Sequence, residues 1–464
     1  MFTIKEIIEA TDSRCTDANL NCRVSGVSID SRTIKPGELF IAIRGTNCDG
    51  HNFLNEATRK GAACLLVEEN FNYKDINIPV IKAIDSTKAL INLAAFHRRR
   101  FSSPIIAVTG SNGKTTTKEL IAHCLGSKFK VLKNHANQNN QFGLALNIFK
   151  LASGYDISVL EIGTNNPGEI KHLSAILKPN IGVITNIGPS HLEGLKNIHG
   201  VFKEKISLLN NLIYPGLGLL NSDDKLLNKI NSGKAKNIIS FGYKNPADFK
   251  INSLEFIKDK IYFKIGKQKF ILNTIASHNV YNALAAISVS RIFGISYKEL
   301  LDSLKGFNWL DGRFKKHAVG NITLIDDSYN ANPLSFNSAV DSIESYNKKS
   351  PPKARSRHFV GEKKILVMAD MLELGNLSEK YHLELAKKIQ KSSISIFICL
   401  GKYSKKIAEF LKKSSKIKVY TLQTIQDVIS VLDDILDKEP TTILVKGSHA
   451  FKLENVILHL LSIT

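Results

Sequence analysis

The sequence predicts an α/β chain of three domains, with a central P-loop parallel-sheet domain and a Rossmann-like α/β C-terminal domain. Three observations predict it. At 464 residues the chain exceeds what one core organises, at about 150 residues per domain. Short apolar runs alternate with helical patterns through its last three-quarters, as parallel strands and crossover helices do. One such strand enters a glycine turn that opens directly into a helix.

Residues 1–101 form the first block. It closes with a helical stretch, Ser86–His97, then Arg98-Arg99-Arg100 as a solvated helix end and Ser102-Ser103-Pro104 as a linker. Residues 102–313 form the second. Ile105–Val108, Ile157–Ile162 and Ile181–Ile187 read as strands buried on both faces, and Leu120, Ile121, Cys124 and Leu125 share one helical face. Residues 314–464 repeat the pattern, with strands at Ile322–Ile325, Ile365–Met368, Ile394–Leu400 and Ile443–Val445 and a helix at Ser378–Ile389. Within this block, 351–357 reads as an exposed basic loop.

Composition narrows the function classes. Hydrophobic residues are 43% and charged residues 23%, ordinary for a globular protein. No apolar run approaches the ~18 residues of a membrane span, and the N-terminus lacks a signal-peptide pattern, so a cytoplasmic protein is expected. The six cysteines are scattered without CxxC pairs, and most are expected to be small buried hydrophobes. The net charge of +21 invites a nucleic-acid reading, but only 12 of the 63 basic residues are Arg. No aromatic-interleaved basic motif accompanies them, and no nucleic-acid partner is expected.

The segment Pro104–Thr117 carries the clearest chemistry. Gly110-Ser111-Asn112-Gly113-Lys114-Thr115-Thr116 follows a strand and begins a helix. Glycines let backbone N–H groups turn toward phosphate oxygens, and the helix start adds its positive end. Lys114 is placed to reach β/γ-phosphates and Thr115 to put a hydroxyl on Mg²⁺. The spacing is the tighter GxxGKT, because Val108 stands at the first glycine of the usual motif. Strand ends then bring Glu161 and His191 to the same sheet rim, where open α/β sheets bind ligands. A hydroxyl, a carboxylate and an imidazole there suit Mg²⁺ bridging to ATP.

Assembled, these residues resemble the Mur ligase family of peptidoglycan synthesis, along all three blocks. Ser28–Arg32, Pro36–Ala42 and Asp49–Phe53 resemble the segments holding the UDP end of the substrate. Asn137–Asn140, Leu160–Gly163, Asn186–Glu193, His278–Leu284 and Asp311–Arg313 match the central pattern. Asp326-Asp327-Ser328-Tyr329-Asn330-Ala331-Asn332-Pro333 and Met368-Ala369-Asp370-Met371-Leu372-Glu373-Leu374-Gly375 point to the branch that adds D-alanyl-D-alanine. His449 stands where the family usually has Arg, and Ala450, Ala136 and Ala369 where it has Gly.

The resemblance implies an ATP-dependent amide ligase joining D-alanyl-D-alanine to UDP-N-acetylmuramoyl-tripeptide through an acyl phosphate. It implies ATP contacts from Gly110–Thr116, Asn279, Asn282, Arg313 and Asp327, and UDP-substrate contacts from Ser31, Arg32, Asp49, Gly50, His51 and Asn137. Tyr329, Asn330, Asn332 and Lys446 fall on the dipeptide side. Thr115, Glu161, His191 and Lys205 are the Mg²⁺ set, Lys205 carbamoylated by CO₂ so that a cation becomes an oxygen ligand. Lys114, Glu161, His191, Lys205 and Arg313 are the expected catalytic residues, and a monomer is expected. A sibling ligase such as a folylpolyglutamate synthase would share the centre but not the Asp326–Pro333 stretch.

Overall fold

The computed structural model describes residues 1–15, 19–45, 48–135, 138–231, 237–348, 363–413 and 416–463. The basic 351–357 segment and Asn137 lie outside them. The chain divides into two compact units: Met1–Ala107, Phe129–Gly163 and Lys171–Asn180 form one, and Val108–Lys128, Thr164–Ile170 and Ile181–Thr464 the other.

The first unit contains a five-stranded sheet in the order Arg14–Cys15, Val80–Ala83, Cys64–Glu68, Leu39–Ile41, Val27–Ser28. All its pairings are parallel except that of Arg14–Cys15. Phe40, Leu65, Val67, Leu54 and Ala57 close one core on it. The opening helix, Ile4–Thr11, starts on a capping box between Thr3 and Glu6, which satisfies backbone N–H groups that a helix start leaves without partners. The closing helix runs Ser86–Arg99, capped by Asp85 on the Lys88 N–H. Its end corrects the expectation of three solvated arginines. Arg98 is buried, its guanidinium bonded to the carbonyls of Leu177 (2.8 Å) and Phe101. Arg99 and Arg100 are exposed. This unit also carries the parallel pair Val131–Lys133 and Ile157–Glu161.

The second unit contains two sheets. In one, Ile181–Ile184, Leu217–Asn221, Ile238–Gly242 and Phe249–Ile257 pair in parallel, followed by antiparallel Lys260–Ile265 and Gln268–Leu272. The strand read as Ile181–Ile187 stops at Ile184, because the next residues leave the ladder to hold the glycine turn. The helix Lys114–Leu125 buries Leu120, Ile121, Cys124 and Leu125, as their shared face predicts. The other sheet runs Lys315–Val319, Ile322–Asp327, Thr441–Lys446, Lys363–Ala369, Ile396–Leu400, Lys418–Leu422, parallel except at its first pair. The expected α/β class with parallel sheets is what the chain adopts. Cys64, Cys124 and Cys399 are buried, but Cys22 and Cys48 are exposed and Cys15 lies between, so half the cysteines, not most, are core residues.

Candidate active site

The phosphate loop is built by its neighbours. Gly110 sits at φ +149°, where an added Cβ would overlap the Thr185 hydroxyl, and Gly113 at φ +78°, where one would overlap the Asn282 amide. Both positions therefore require glycine, for space as well as conformation. Thr185 Oγ1 donates to the Asn112 carbonyl at 2.6 Å. The Ser111 N–H goes to the Asn186 carbonyl at 2.9 Å and the Asn112 N–H to Asn186 Oδ1 at 2.9 Å. Those two N–H groups, expected on phosphate, are thus committed to Asn186. The helix starting at Lys114 leaves its first-turn N–H groups without intrahelical acceptors. Lys114 Nζ lies 3.0 Å from its own Gly110 carbonyl, so the ammonium is folded back over the turn.

Ser111 does a second structural task. Its hydroxyl donates to the Gly188 carbonyl (2.8 Å), accepts from the Gly188 N–H (2.9 Å) and lies 3.0 Å from Ser190 Oγ. The turn 188–190 is bolted to the phosphate loop in this way, and the next residue is His191. His191 adopts a left-handed φ of 51°, uncommon for a residue with a Cβ. Its Nδ1 lies 2.7 Å from Glu373 Oε2, and that contact holds the Glu373 carboxyl below the usual carboxylate range.

Residues far along the chain reach the same loop. The Asn112 and Asn332 side-chain amides face each other at 2.6 and 3.1 Å. Arg313 Nη2 donates to Thr115 Oγ1 at 3.2 Å. The Arg313 guanidinium lies 3.6 Å from the Tyr329 ring centroid, and His449 stacks on that ring at 5.4 Å. Asn282 accepts from Thr117 Oγ1 (3.2 Å) and donates to Asn279 Oδ1 (2.9 Å). Asn279 Nδ2 is buried without a hydrogen-bond partner, a donor that buried amides normally satisfy.

Asp327 and Lys446, assigned from sequence to different substrates, form one ion pair at 2.7 Å, its lysine buried and its aspartate partly so. Lys446 Nζ also donates to the Asn330 carbonyl at 2.9 Å. Burial pushes Asp327 up and Lys446 down, and their mutual charge opposes both shifts. Thr116 is buried in the first turn of the loop helix.

Lys205 is 1% exposed, while Lys203, two residues earlier, is exposed. Its neighbour Glu204 accepts from the N–H groups of Gly168 (2.6 Å) and Ile170 (2.7 Å), fixing the helix that carries Lys205. In the first unit, Glu161 is 2% exposed. Its Oε1 accepts from Asn139 Nδ2 at 2.8 Å, and Asn134 bonds both its N–H and its carbonyl. Nothing in the sequence spacing marks Asn139 or Asn134 as the support of a carboxylate. Taken each within its own unit, the Thr115 hydroxyl and the Glu161 carboxylate are oxygen donors of the kind hard cations take.

Elsewhere in the first unit, Ser31 Oγ donates to Glu56 (2.8 Å), and Lys60 bridges Glu56 and the Ser31 carbonyl, both at 2.9 Å. Arg32 is exposed and doubly bonded to Asp30. His51, expected on the UDP side, is held within its own turn. It is buried, with Nδ1 2.6 Å from Asp49 and Nε2 accepting the Glu68 N–H at 3.1 Å, so both ring nitrogens are occupied inside the fold. Gly50 has no room for a Cβ against the Ile43 backbone.

Comparison with known proteins finds relatives along the whole chain. Three family models match in succession: the Mur ligase family catalytic domain over residues 23–100, the Mur ligase middle domain over 108–290, and the Mur ligase glutamate ligase domain over 312–449. The UDP-N-acetylmuramoyl-tripeptide–D-alanyl-D-alanine ligase of Bacillus subtilis is 32% identical over 99% of this chain and 98% of its own. That of Escherichia coli is 30% identical over 97% and 98%. A crystal structure of MurF from Acinetobacter baumannii, 25% identical, superposes with a TM-score of 0.88 over 99% of both chains. The MurF ligase of Thermotoga maritima in complex with ADP, 26% identical, does so with 0.80 over 95% and 97%. The chain belongs to the Mur ligase family.

Proposed function

We infer that this ligase joins D-alanyl-D-alanine to UDP-N-acetylmuramoyl-tripeptide at the expense of ATP, forming the UDP-linked pentapeptide of peptidoglycan synthesis. One observation carries the reading. Full-length likeness to ligases of that name coincides with a phosphate loop whose Asn112 and Thr115 are met by Asn332 and Arg313.

The chemistry follows from these residues. The tripeptide carboxylate oxygen attacks the γ-phosphorus, the bond to ADP breaks, and an acyl phosphate forms. The dipeptide amine then attacks the acyl carbon, loses a proton, and phosphate leaves. Lys114 and Arg313 spread the charge of the transferring phosphoryl group, and the first-turn N–H groups hold its oxygens. Asn279 and Asn282 face the adenosine side, where the unpartnered Asn279 amide has a donor to give. Tyr329, Asn330 and Asn332 line the side of the incoming dipeptide, with the Asp327–Lys446 pair behind them. Ser31, Arg32, Asp49 and Gly50 hold the UDP end, and His51 shapes that turn. Thr115, Glu161, His191 and a carbamoylated Lys205 would hold Mg²⁺. When bound, Mg²⁺ neutralises charge on the phosphate oxygens. Carbamoylation would supply Lys205 with the anionic oxygens a cation prefers, and a carbamate resonance from ¹³C-bicarbonate, lost in Lys205→Gln, is the expected signature.

Among the described residues no helix is long and apolar enough to cross a membrane, and we place the enzyme in the cytoplasm as a monomer. The reaction is tested by phosphate release from ATP and Mg²⁺ with each substrate alone and with both. Release only with both, and a product mass of the pentapeptide, is the expected result. Release with one absent, or none, overturns it.

A further inference from the structure

The stretch Asp370–Gly375 has a shape that the reaction above does not use. The backbone N–H groups of Met371 and Leu372 are both tied down. Met371 N–H donates to His382 Nε2 at 3.0 Å, and His382 is itself fixed by the Ser378 carbonyl at 2.7 Å. Leu372 N–H donates to Ser448 Oγ at 2.9 Å. The Asp370 carboxylate accepts from the N–H groups of Tyr403 (2.9 Å) and Ser404 (2.6 Å), and its carbonyl accepts from Ser448 N–H. The next residue, Glu373, then stands at φ +63°. A glutamate gains nothing locally from that conformation, which persists only where the surroundings enforce it.

The rigid turn grips the His191 segment at two points. The Glu193 N–H donates to the Glu373 carbonyl at 3.1 Å, and the Glu373 carboxylate lies 2.7 Å from His191 Nδ1. His191 is also in the left-handed region, so two residues in disfavoured backbone conformations meet through their side chains. From its other side, the 188–190 turn before His191 is fixed by Ser111.

We propose that Glu373 is a positioning residue for His191: the fixed 370–375 turn holds its carboxylate 2.7 Å from Nδ1, which sets the ring and leaves Nε2 for the metal side of the nucleotide site. The inference rests on the reading of His191 given above. An imidazole with a carboxylate on one nitrogen has its tautomer and ring plane set, and removing such a support typically weakens metal affinity about 10–100-fold.

The test begins without turnover. Mn²⁺ binding to the full chain with ADP is followed by electron paramagnetic resonance for the wild type, Glu373→Ala and Glu373→Gln. Ring ¹⁵N shifts of His191, assigned with His191→Gln, are recorded on metal-free protein. The expected result is Mn²⁺ affinity about tenfold weaker in Glu373→Ala and intermediate in Glu373→Gln, with His191 drifting from a single tautomer to a mixture and unfolding temperatures unchanged. Should the alanine variant fail to fold, the glutamine variant decides alone. Wild-type Mn²⁺ affinity and an unaltered tautomer in the variants overturn the proposal while leaving the site intact. Absence of Mn²⁺ binding by the wild type overturns the reading of the site itself, and the proposal with it.

Discussion

Two turns in this chain have opposite economies. The Asp49–His51 turn closes on its own neighbourhood: Asp49 caps the His51 N–H and ring, and His51 reaches only as far as Glu68. The phosphate loop draws on distant sequence, its Asn112 meeting a partner 220 residues away and its Thr115 one 198 residues away. A turn of the first kind sets a shape, and its loss registers as stability. A turn of the second kind joins segments, and its loss registers as function.

Four expectations would break or sharpen that contrast. Lys114→Met removes the cation at the transferring phosphate and should lower kcat about a thousandfold with the thermal unfolding midpoint unchanged; equal losses in both would erase the distinction. The second concerns His278, whose pKa burial lowers to about 4, helped by the Lys446 charge. The folded state keeps it neutral, so its stabilising share is present above about pH 6.5 and is lost as pH falls toward 4. Denaturant titrations should show up to about 3 kcal/mol of acid destabilisation, absent in His278→Asn. Third, His51→Ala should cost about 2 kcal/mol of stability by leaving the partly buried Glu68 N–H without its acceptor and Asp49 without the ring contact, with kcat unchanged in the folded fraction. The smallest effect is the coupling between Asn112→Ala and Asn332→Ala, about 1 kcal/mol in the KM for ATP by double-mutant cycle. Additive values would show that the two amides merely adjoin.

The local kind of order was readable in advance and the distant kind was not. Gly110, Gly113 and Lys114 stand out because a strand, a turn and a helix follow one another within a dozen residues. The helix face of Leu120, Ile121, Cys124 and Leu125 is likewise a matter of period. His51 shows the limit: a histidine in a polar turn looks like a ligand, and only burial reveals that both nitrogens are occupied. Arg98 misleads the same way, since a run of three arginines does not say which one turns inward. The Asp327–Lys446 pair and the Glu373–His191 contact join positions 119 and 182 apart in sequence, and no spacing rule spans such intervals. Ile181–Ile184 ends early because Thr185 and Asn186 are recruited to the phosphate loop, a tertiary demand that outranks their strand propensity.

The reach of the phosphate loop has a consequence for synthesis on the ribosome. Chains grow from the N-terminus at about 5–20 residues per second, so Asn112 and Thr115 emerge on the order of ten to forty seconds before Asn332 and Arg313 can meet them. During that interval the nascent nucleotide site has its glycine turn and lysine but not its distal partners. On the function proposed above, catalytic competence is withheld until the C-terminal block arrives, and a chain truncated before Arg313 should hold the loop without the clasp.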